Sequence, residues 1–237
     1  TPQGLTIEGT DAADMLIGSA NSDHLHSGKG DDVLLAGAGN DVLLAGEGND
    51  RLWSGSGDDI LQGGDGDDVL GSVSGDNQIA AGAGDDTVWA GTGDDVIDGG
   101  AGDDQLWGGR GNDIIRGGSG ADRLVGQAGD DQLAGDSGDD VLIGGAGDDT
   151  LLGGSGDDRL WAGSGDDVLQ GGDGDDVLGS ASGDNQIAAG AGDDTVWAGV
   201  GDDSIDGGVG DDKMWAGAGD DTCLLYTSPS PRDSIAS

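Results

Sequence analysis

The sequence has few of the residues that usually hold a globular core or a disulfide framework together. It contains 1 cysteine, 3 prolines and no phenylalanine, and aromatic residues make up only 3% of its 237 residues. One cysteine cannot form an internal disulfide, and so few aromatic side chains exclude an ordinary mixed core. No stretch approaches 18 consecutive apolar residues, which excludes a membrane-spanning helix.

Basic residues are equally scarce. Lys and Arg number 8 against 49 Asp and Glu, so the formal net charge is −41 at pH 7. Nucleic acid is excluded as a partner because it would be repelled by this charge. The composition alone is typical of a disordered chain, since like charges oppose compaction. Carboxylates in such number indicate a hard cation as the natural partner.

Sequence motifs of the common catalytic sites are missing as well. The sequence has no H-E-x-x-H zinc motif, no G-x-S-x-G elbow and no phosphate-binding loop. Its only histidines are His24 and His26, and its only glutamates, Glu8 and Glu47, exclude an EF-hand. We therefore expect no catalytic activity in this chain.

What the sequence has in abundance is glycine, 55 residues of it, recurring with a period of nine. From Gly9 to Leu224 the chain divides into 24 blocks without insertion or deletion; residues 99–107, Gly-Gly-Ala-Gly-Asp-Asp-Gln-Leu-Trp, are typical. The second and fourth places are mostly Gly, the sixth is Asp in 22 blocks, and the eighth is apolar in all 24. An unbroken period of this kind is the signature of a repeat architecture.

Each place in the block has a physical reason. Glycine permits the positive φ angles of a tight turn, and Asp at the sixth place supplies a hard oxygen ligand. Places seven to nine predict a three-residue strand whose middle side chain faces the core. Two blocks make one coil of 18 residues, and odd and even blocks form separate sheets. The sequence therefore predicts an all-β fold, a parallel β-roll (β-solenoid) of about 12 coils with two parallel sheets and Gly/Asp turns along both edges.

The blocks resemble the RTX (hemolysin-type) nonapeptide G-G-x-G-x-D-x-U-x, a motif already known as a calcium-binding β-helical repeat. This resemblance implies that Ca²⁺ lies between successive turns, held by the sixth-place Asp of one turn, the Asp 18 residues on, and backbone carbonyls. Asp32 would thus pair with Asp50. The metal ligands that the resemblance implies are Asp32, Asp41, Asp50, Asp59, Asp68, Asp86, Asp95, Asp104, Asp113, Asp122, Asp131, Asp140, Asp149, Asp158, Asp167, Asp176, Asp194, Asp203, Asp212 and Asp221.

Some blocks depart from the pattern and should be defective. Asn77 and Asn185 replace the sixth-place Asp, Gln127 and Asp136 replace the second Gly, and the first two blocks lack the fourth Gly. We expect roughly 15–20 calcium ions in the remaining gaps, and a chain that is unfolded without calcium. The fifth place varies between Asp, Asn, Ala and Ser, which favours a solvent-facing role.

A longer period overlies the nine. Residues 50–107 recur at 158–215, an offset of 108. The tryptophans all occupy the ninth place of odd-numbered blocks, so they should form one outward column on one sheet: Trp53, Trp89, Trp107, Trp161, Trp197 and Trp215. Two interpretations stay open. The indoles stabilise a thin roll by stacking, or they form an interaction surface for a partner domain, a second copy or a surface ligand.

We expect three segments: an irregular lead-in at 1–8, the repeats at 9–222, and a non-native tail at 223–237. The tail includes Cys223, and residues 223–233 resemble the translation of a sequencing adapter. No N-terminal signal peptide is visible, which agrees with the C-terminal signal and type I exporter that the RTX resemblance implies.

The RTX resemblance implies a calcium-dependent folding and secretion module of a larger extracellular, bacterial protein. Two alternatives remain open at this stage. One is an accessory domain of a secreted RTX enzyme such as a protease, lipase or epimerase. The other is an adhesin-like binder that uses the tryptophan surface.

Overall fold

The computed structural model describes residues 4–224 and 234–236. The chain forms two compact units, Thr1–Gly118 and Ser119–Ser237. Every regular element of the described residues is a β-strand, and none of them forms a helix that could cross a membrane.

The first unit contains two parallel sheets built from alternate strands. Its strands are β1 Thr6–Glu8, β2 Met15–Ile17, β3 His24–Lys29, β4 Val33–Ala38, β5 Val42–Glu47, β6 Arg51–Ser56, β7 Ile60–Asp65, β8 Val69–Gly71, β9 Gln78–Ala83, β10 Thr87–Thr92, β11 Val96–Ala101, β12 Gln105–Arg110 and β13 Ile114–Ser119. Odd-numbered strands pair in the order β1-β3-β5-β7-β9-β11-β13, and even-numbered strands in the order β2-β4-β6-β8-β10-β12. Each residue lies beside its counterpart 18 positions away, as Leu34 does beside Leu52.

The second unit repeats this arrangement. Its strands are β14 Arg123–Ala128, β15 Gln132–Ser137, β16 Val141–Ala146, β17 Thr150–Ser155, β18 Arg159–Ser164, β19 Val168–Asp173, β20 Val177–Gly179, β21 Gln186–Ala191, β22 Thr195–Trp197, β23 Ser204–Val209, β24 Lys213–Trp215, β25 Thr222–Leu224 and β26 Ser234–Ala236. Even-numbered strands again form one parallel sheet and odd-numbered strands the other. The predicted all-β parallel solenoid with 18-residue coils is confirmed.

The tail expected at 223–237 is described only in part. Residues 225–233 and 237 lie outside the described residues, whereas Cys223 pairs with Ile205 at a core place of β25. The non-native origin of the tail stays a prediction.

Most strands are longer than predicted, with six residues instead of three. They continue from places seven to nine into the first three places of the next block. The chain stays paired because the second-place glycine adopts a positive φ, as Gly91 does at 103°. Where that glycine is missing the strand ends early: β8 and β20 stop before the blocks that carry Val73 and Ala181. A residue with a Cβ takes positive φ only at a cost, so the pairing ends there.

Gln127 and Asp136 are exceptions, because they keep the glycine conformation with φ of 85° and 71°. A left-handed conformation costs a residue with a Cβ about 1–2 kcal/mol, part of which glycine loses again through its freer unfolded state. We expect Gln127→Gly and Asp136→Gly each to stabilise the calcium-loaded protein by about 1 kcal/mol, measured by urea unfolding. Gly145→Ala is the reverse control and should be destabilising, since a Cβ there would meet the Gln127 backbone. Unchanged midpoints in both glycine variants would contradict the argument.

The core consists of two rows of side chains from each block. The eighth-place residues are buried, as predicted, with Leu52 and Val88 fully enclosed. The first place also faces inward, and Ala36, Ser54 and Ala81 are buried there. The sequence analysis missed this second row, although the first place holds only Gly, Ala or Ser in all 24 blocks. Small side chains are needed because the two sheets approach closely beside the turns.

Candidate metal centre

The sixth-place residues lie directly before the strands, and nearly all of them are buried. Asp68 precedes β8 and is 1% exposed, and Asp158 and Asp194 are equally enclosed. Of the predicted ligands only Asp221 is half-buried. A buried carboxylate is costly unless it is paired or bound to a metal. The burial of so many in one repeat position indicates a common compensating partner.

Hydrogen bonds join these aspartates into ladders along the coils. The backbone N–H of Asp50 donates to Oδ1 of Asp68 at 2.8 Å, and the N–H of Asp68 donates to Oδ1 of Asp86 at 2.7 Å. The same bond joins Asp32 to Asp50 at 2.7 Å. Residues 18 apart are therefore brought together as the sequence predicted, with one oxygen of each carboxylate already occupied.

The second carboxylate oxygen is different. In many of these residues Oδ2 is buried and has no hydrogen-bond donor within reach. This holds for Asp32, Asp41, Asp50, Asp59, Asp68, Asp86, Asp95, Asp140, Asp149, Asp158, Asp176, Asp194 and Asp203. A buried, unsatisfied anionic oxygen is among the most destabilising groups in a protein. A cation at this oxygen would remove the penalty.

Backbone carbonyls converge on the same points. Oδ2 of Asp68 and the carbonyl oxygen of Ala81, from the next coil, both lie where a Cβ on Gly63 would be. Oδ2 of Asp176 and the carbonyl oxygen of Ala189 lie in the same way beside Gly171. These oxygens are the hard ligands that Ca²⁺ prefers. Within the described part of the chain no three His, Cys, Asp or Glu side chains converge, so a cation here needs the carbonyls as well.

Burial also changes the acidity of the sixth-place carboxyls. Removal from water raises their pKa, the negative charge of neighbouring aspartates raises it further, and the backbone hydrogen bond only partly opposes this. The pKa is raised to about 7 in Asp68, Asp86, Asp149 and Asp194, and to about 6 in Asp95, Asp140, Asp158 and Asp176. In the absence of a cation the folded protein therefore favours protons on these groups.

This shift predicts that acid favours the calcium-free fold. A carboxyl whose folded pKa lies above its ordinary value of 3.8 contributes stability at low pH, and that stability is lost as pH rises towards 7. In calcium-free buffer we expect far-UV circular dichroism to show more β-structure at pH 5 than at pH 8. The lower value stays above the pI of about 4.1, where association would interfere. Identical calcium-free spectra at both pH values would contradict this expectation.

The first two blocks satisfy their aspartates locally. Asp14 Oδ2 accepts hydrogen bonds from the backbone N–H and the hydroxyl of Thr10, at 2.6 and 2.8 Å. Asp23 accepts from the N–H and hydroxyl of Ser19 and from the N–H of Leu5. Burial alone would raise the pKa of Asp23, but these hydrogen bonds bring it below the ordinary value. The departures in these blocks thus supply donors that the later blocks lack.

The fifth-place side chains are exposed, as expected, and form a second ladder in the opposite direction. Oδ1 of Asn40 accepts from the N–H of Asp58 at 3.1 Å, and Oδ1 of Asp58 accepts from the N–H of Asp76 at 3.0 Å. Asp and Asn both serve because only one acceptor oxygen is required. This linking role between coils was missed in the sequence analysis.

Comparison with known protein families agrees with this geometry. The sequence model of the RTX calcium-binding nonapeptide repeat matches overlapping segments that together cover most of the chain. The matched residues are 8–43, 35–70, 44–79, 72–106, 107–142, 116–151, 125–160, 143–178, 152–187, 180–214 and 188–223.

The chain belongs to the RTX calcium-binding repeat family. RTX nonapeptide repeats bind Ca²⁺, so the predicted resemblance and the predicted ion are confirmed. The matching family is a structural calcium-binding repeat, and it is typical of secreted proteins. A search of curated proteins gives no match.

The tryptophans of this RTX protein stack within each unit. Trp89 has indole neighbours on both sides, Trp53 at 6.3 Å and Trp107 at 5.5 Å between ring centroids, with ring planes 9° and 12° apart. The second unit repeats the stack, with Trp197 between Trp161 at 6.1 Å and Trp215 at 5.4 Å.

Glycine makes the longer of these contacts possible. Trp53 reaches Trp89 across an intervening strand because Gly71 between them has no side chain, and a Cβ there would collide with the Trp53 ring. The stacking supports the stabilising interpretation of the tryptophan column. The interaction-surface interpretation stays a prediction.

Removal of the middle indole should therefore cost more than removal of an end indole. Trp89→Thr breaks two stacking contacts and Trp107→Thr breaks one, each worth about 0.5–1.5 kcal/mol beyond buried area. We expect the calcium-loaded Trp89→Thr variant to lose about twice as much unfolding free energy in urea as Trp107→Thr. Equal losses in the two variants would show that stacking adds nothing.

Proposed function

We propose that the sixth-place aspartates and the turn carbonyls of this RTX chain hold roughly 15–20 Ca²⁺ ions between successive coils. The observation that carries the proposal is the repeated buried Oδ2 with no donor within reach. The proposed ligand aspartates are those that the sequence analysis named. Asp14 and Asp23 are left out because local donors already occupy their oxygens.

Bound calcium would supply positive charge and oxygen coordination where the protein has neither. With roughly 15–20 divalent ions, about 30–40 positive charges would stand against the formal charge of −41. The protein's own contribution is to place a carboxylate and carbonyls of adjacent coils around one point. Because the unfolded chain has no such arrangement, the binding free energy of the ions becomes folding free energy.

We further propose that the chain is a calcium-dependent folding and secretion module of a larger extracellular protein. A chain kept unfolded by charge repulsion in a calcium-poor cytosol could be exported through a type I system and fold outside. Family membership supports this role. The two alternatives, an accessory domain of a secreted enzyme and an adhesin-like binder, remain without a specific observation in their favour.

The ion count tests the proposal directly. Purified protein is dialysed against buffered millimolar Ca²⁺, and bound calcium is measured by atomic emission, with Mg²⁺ as the comparison ion. We expect roughly 15–20 calcium ions per chain and far fewer magnesium ions, since Mg²⁺ gives up its water reluctantly. Fewer than about five calcium ions per chain would overturn the assignment of the aspartate ladders.

A further inference from the structure

The two blocks that carry Asn in place of the sixth-place Asp contain a feature that the rest of the repeat lacks. Asn77 is 1% exposed and lies in the same ladder as the aspartates, accepting from the N–H of Asp59 at 3.0 Å. Its amide nitrogen stands where the neighbouring blocks have the unsatisfied Oδ2. The side chain therefore replaces an acceptor by a donor at a buried point surrounded by oxygens.

The amide nitrogen uses its donor capacity fully. Nδ2 of Asn77 donates to Oδ1 of Asp95 at 2.8 Å and to the carbonyl oxygen of Gly75 at 2.8 Å, with a longer contact to the carbonyl of Ala90 at 3.4 Å. These groups are the sixth-place carboxylate of the next coil, a fourth-place carbonyl and a first-place carbonyl. The first-place carbonyl also converges with Oδ2 in ordinary blocks, as Ala81 does with Asp68.

The duplicated block in the second unit repeats the arrangement. Nδ2 of Asn185 donates to Oδ1 of Asp203 at 2.9 Å and to the carbonyl of Gly183 at 2.8 Å, and it lies 3.3 Å from the carbonyl of Ala198. The same three oxygens are bridged at the same places of the repeat. The bridging therefore belongs to the Asn block and not to one local accident of packing.

From this geometry we infer that Asn77 and Asn185 are ion-independent latches, in which a neutral amide takes the place of Ca²⁺ between two coils. The inference rests on the proposed function, because it assigns which gaps of that ladder hold no ion. The gap between Asn77 and Asp95 and the gap between Asn185 and Asp203 bind no calcium. Each unit thus contains one connection between coils that does not depend on the metal.

Restoring the carboxylate tests the latch. In the double variant Asn77→Asp/Asn185→Asp we expect native mass spectrometry in Ca²⁺ to show two more bound ions than in the wild type. Asn40→Asp is the matched control: it makes the same change at an exposed fifth place and should add none. A double variant with the wild-type ion count overturns the latch, whereas a wild type that binds no calcium overturns the proposed function instead.

A second measurement needs only the wild-type protein and covers a variant that fails to fold. In the calcium-loaded chain, the side-chain amide protons of Asn77 and Asn185 should exchange with solvent at least about tenfold more slowly than those of exposed Asn40 and Asn49. Nuclear magnetic resonance of the asparagine side chains measures these rates. Equal exchange in all four would show that the buried amides are not held by the three oxygens, which overturns the inference.

Discussion

In excess chelator, the far-UV circular dichroism of the chain should change from a β-sheet spectrum to that of a disordered polypeptide, and millimolar Ca²⁺ should restore it. The expected effect is close to complete, because each coil contains buried carboxylates such as Asp68 and Asp158 whose second oxygen has no protein donor. Without the ion, the desolvation of these groups and the repulsion among 49 acidic residues oppose folding together.

Two controls separate specific binding from charge screening. Monovalent salt at the same ionic strength screens exposed charges but cannot satisfy a buried oxygen, so it should not restore the fold. Mg²⁺ should be a poor substitute for Ca²⁺. A β-sheet spectrum that persists in chelator at neutral pH would contradict the dependence of this fold on calcium.

The second large effect is expected from a single buried carboxylate. Asp86 accepts the N–H of Asp68 through Oδ1, and its Oδ2 is one of the unsatisfied oxygens. In Asp86→Ala we expect the loss of up to two calcium ions, since Asp86 faces a coil on either side. The buried N–H of Asp68 also loses its acceptor, which alone costs about 1–3 kcal/mol of unfolding free energy. Calcium titration followed by circular dichroism should show a midpoint several-fold higher than in the wild type.

The adjacent residue provides the matched control. Asp85 has the same charge and also accepts a hydrogen bond from another coil, from the N–H of Asp103 at 2.9 Å, but it is exposed. Asp85→Ala should keep the wild-type ion count and lose less than about 1 kcal/mol. The pair Asp194→Ala and Asp193→Ala repeats the comparison in the second unit. Equal effects at the fifth and sixth places would show that the buried ladder has no special role.

Much of this fold could be predicted from the period of the sequence alone. A strict nine-residue repeat fixes which residues lie beside one another, so the pairing of Leu34 with Leu52 and of Asp32 with Asp50 followed without knowledge of any distance. The eighth-place core was equally predictable, because an invariant apolar place in an otherwise polar block has no other physical use.

The details that were missed depend on single backbone angles and on single atoms. The strands are six residues long because glycine at the second place remains in the ladder at positive φ, which a pattern of letters does not show. The hydroxyl of Thr10 and the amide of Asn77 each satisfy a buried partner that the repeat otherwise leaves for calcium. The sequence shows such substitutions as defects, because whether a replacement atom reaches its partner is a matter of tenths of an ångström.

The alternation of blocks between two sheets has a consequence for how such a gene can grow. Insertion of a single nonapeptide would transfer every later block to the opposite sheet, and Trp89 and Trp107 would then leave the strand set that contains Trp53. Insertion of two nonapeptides, or any even number, preserves the side of every residue. The repeated segment in this chain is offset by 108 residues, which is twelve blocks, an even number. Selection for the indole column therefore imposes a parity rule on recombination, under which DNA segments that encode whole coils are retained and segments that encode half-coils are lost.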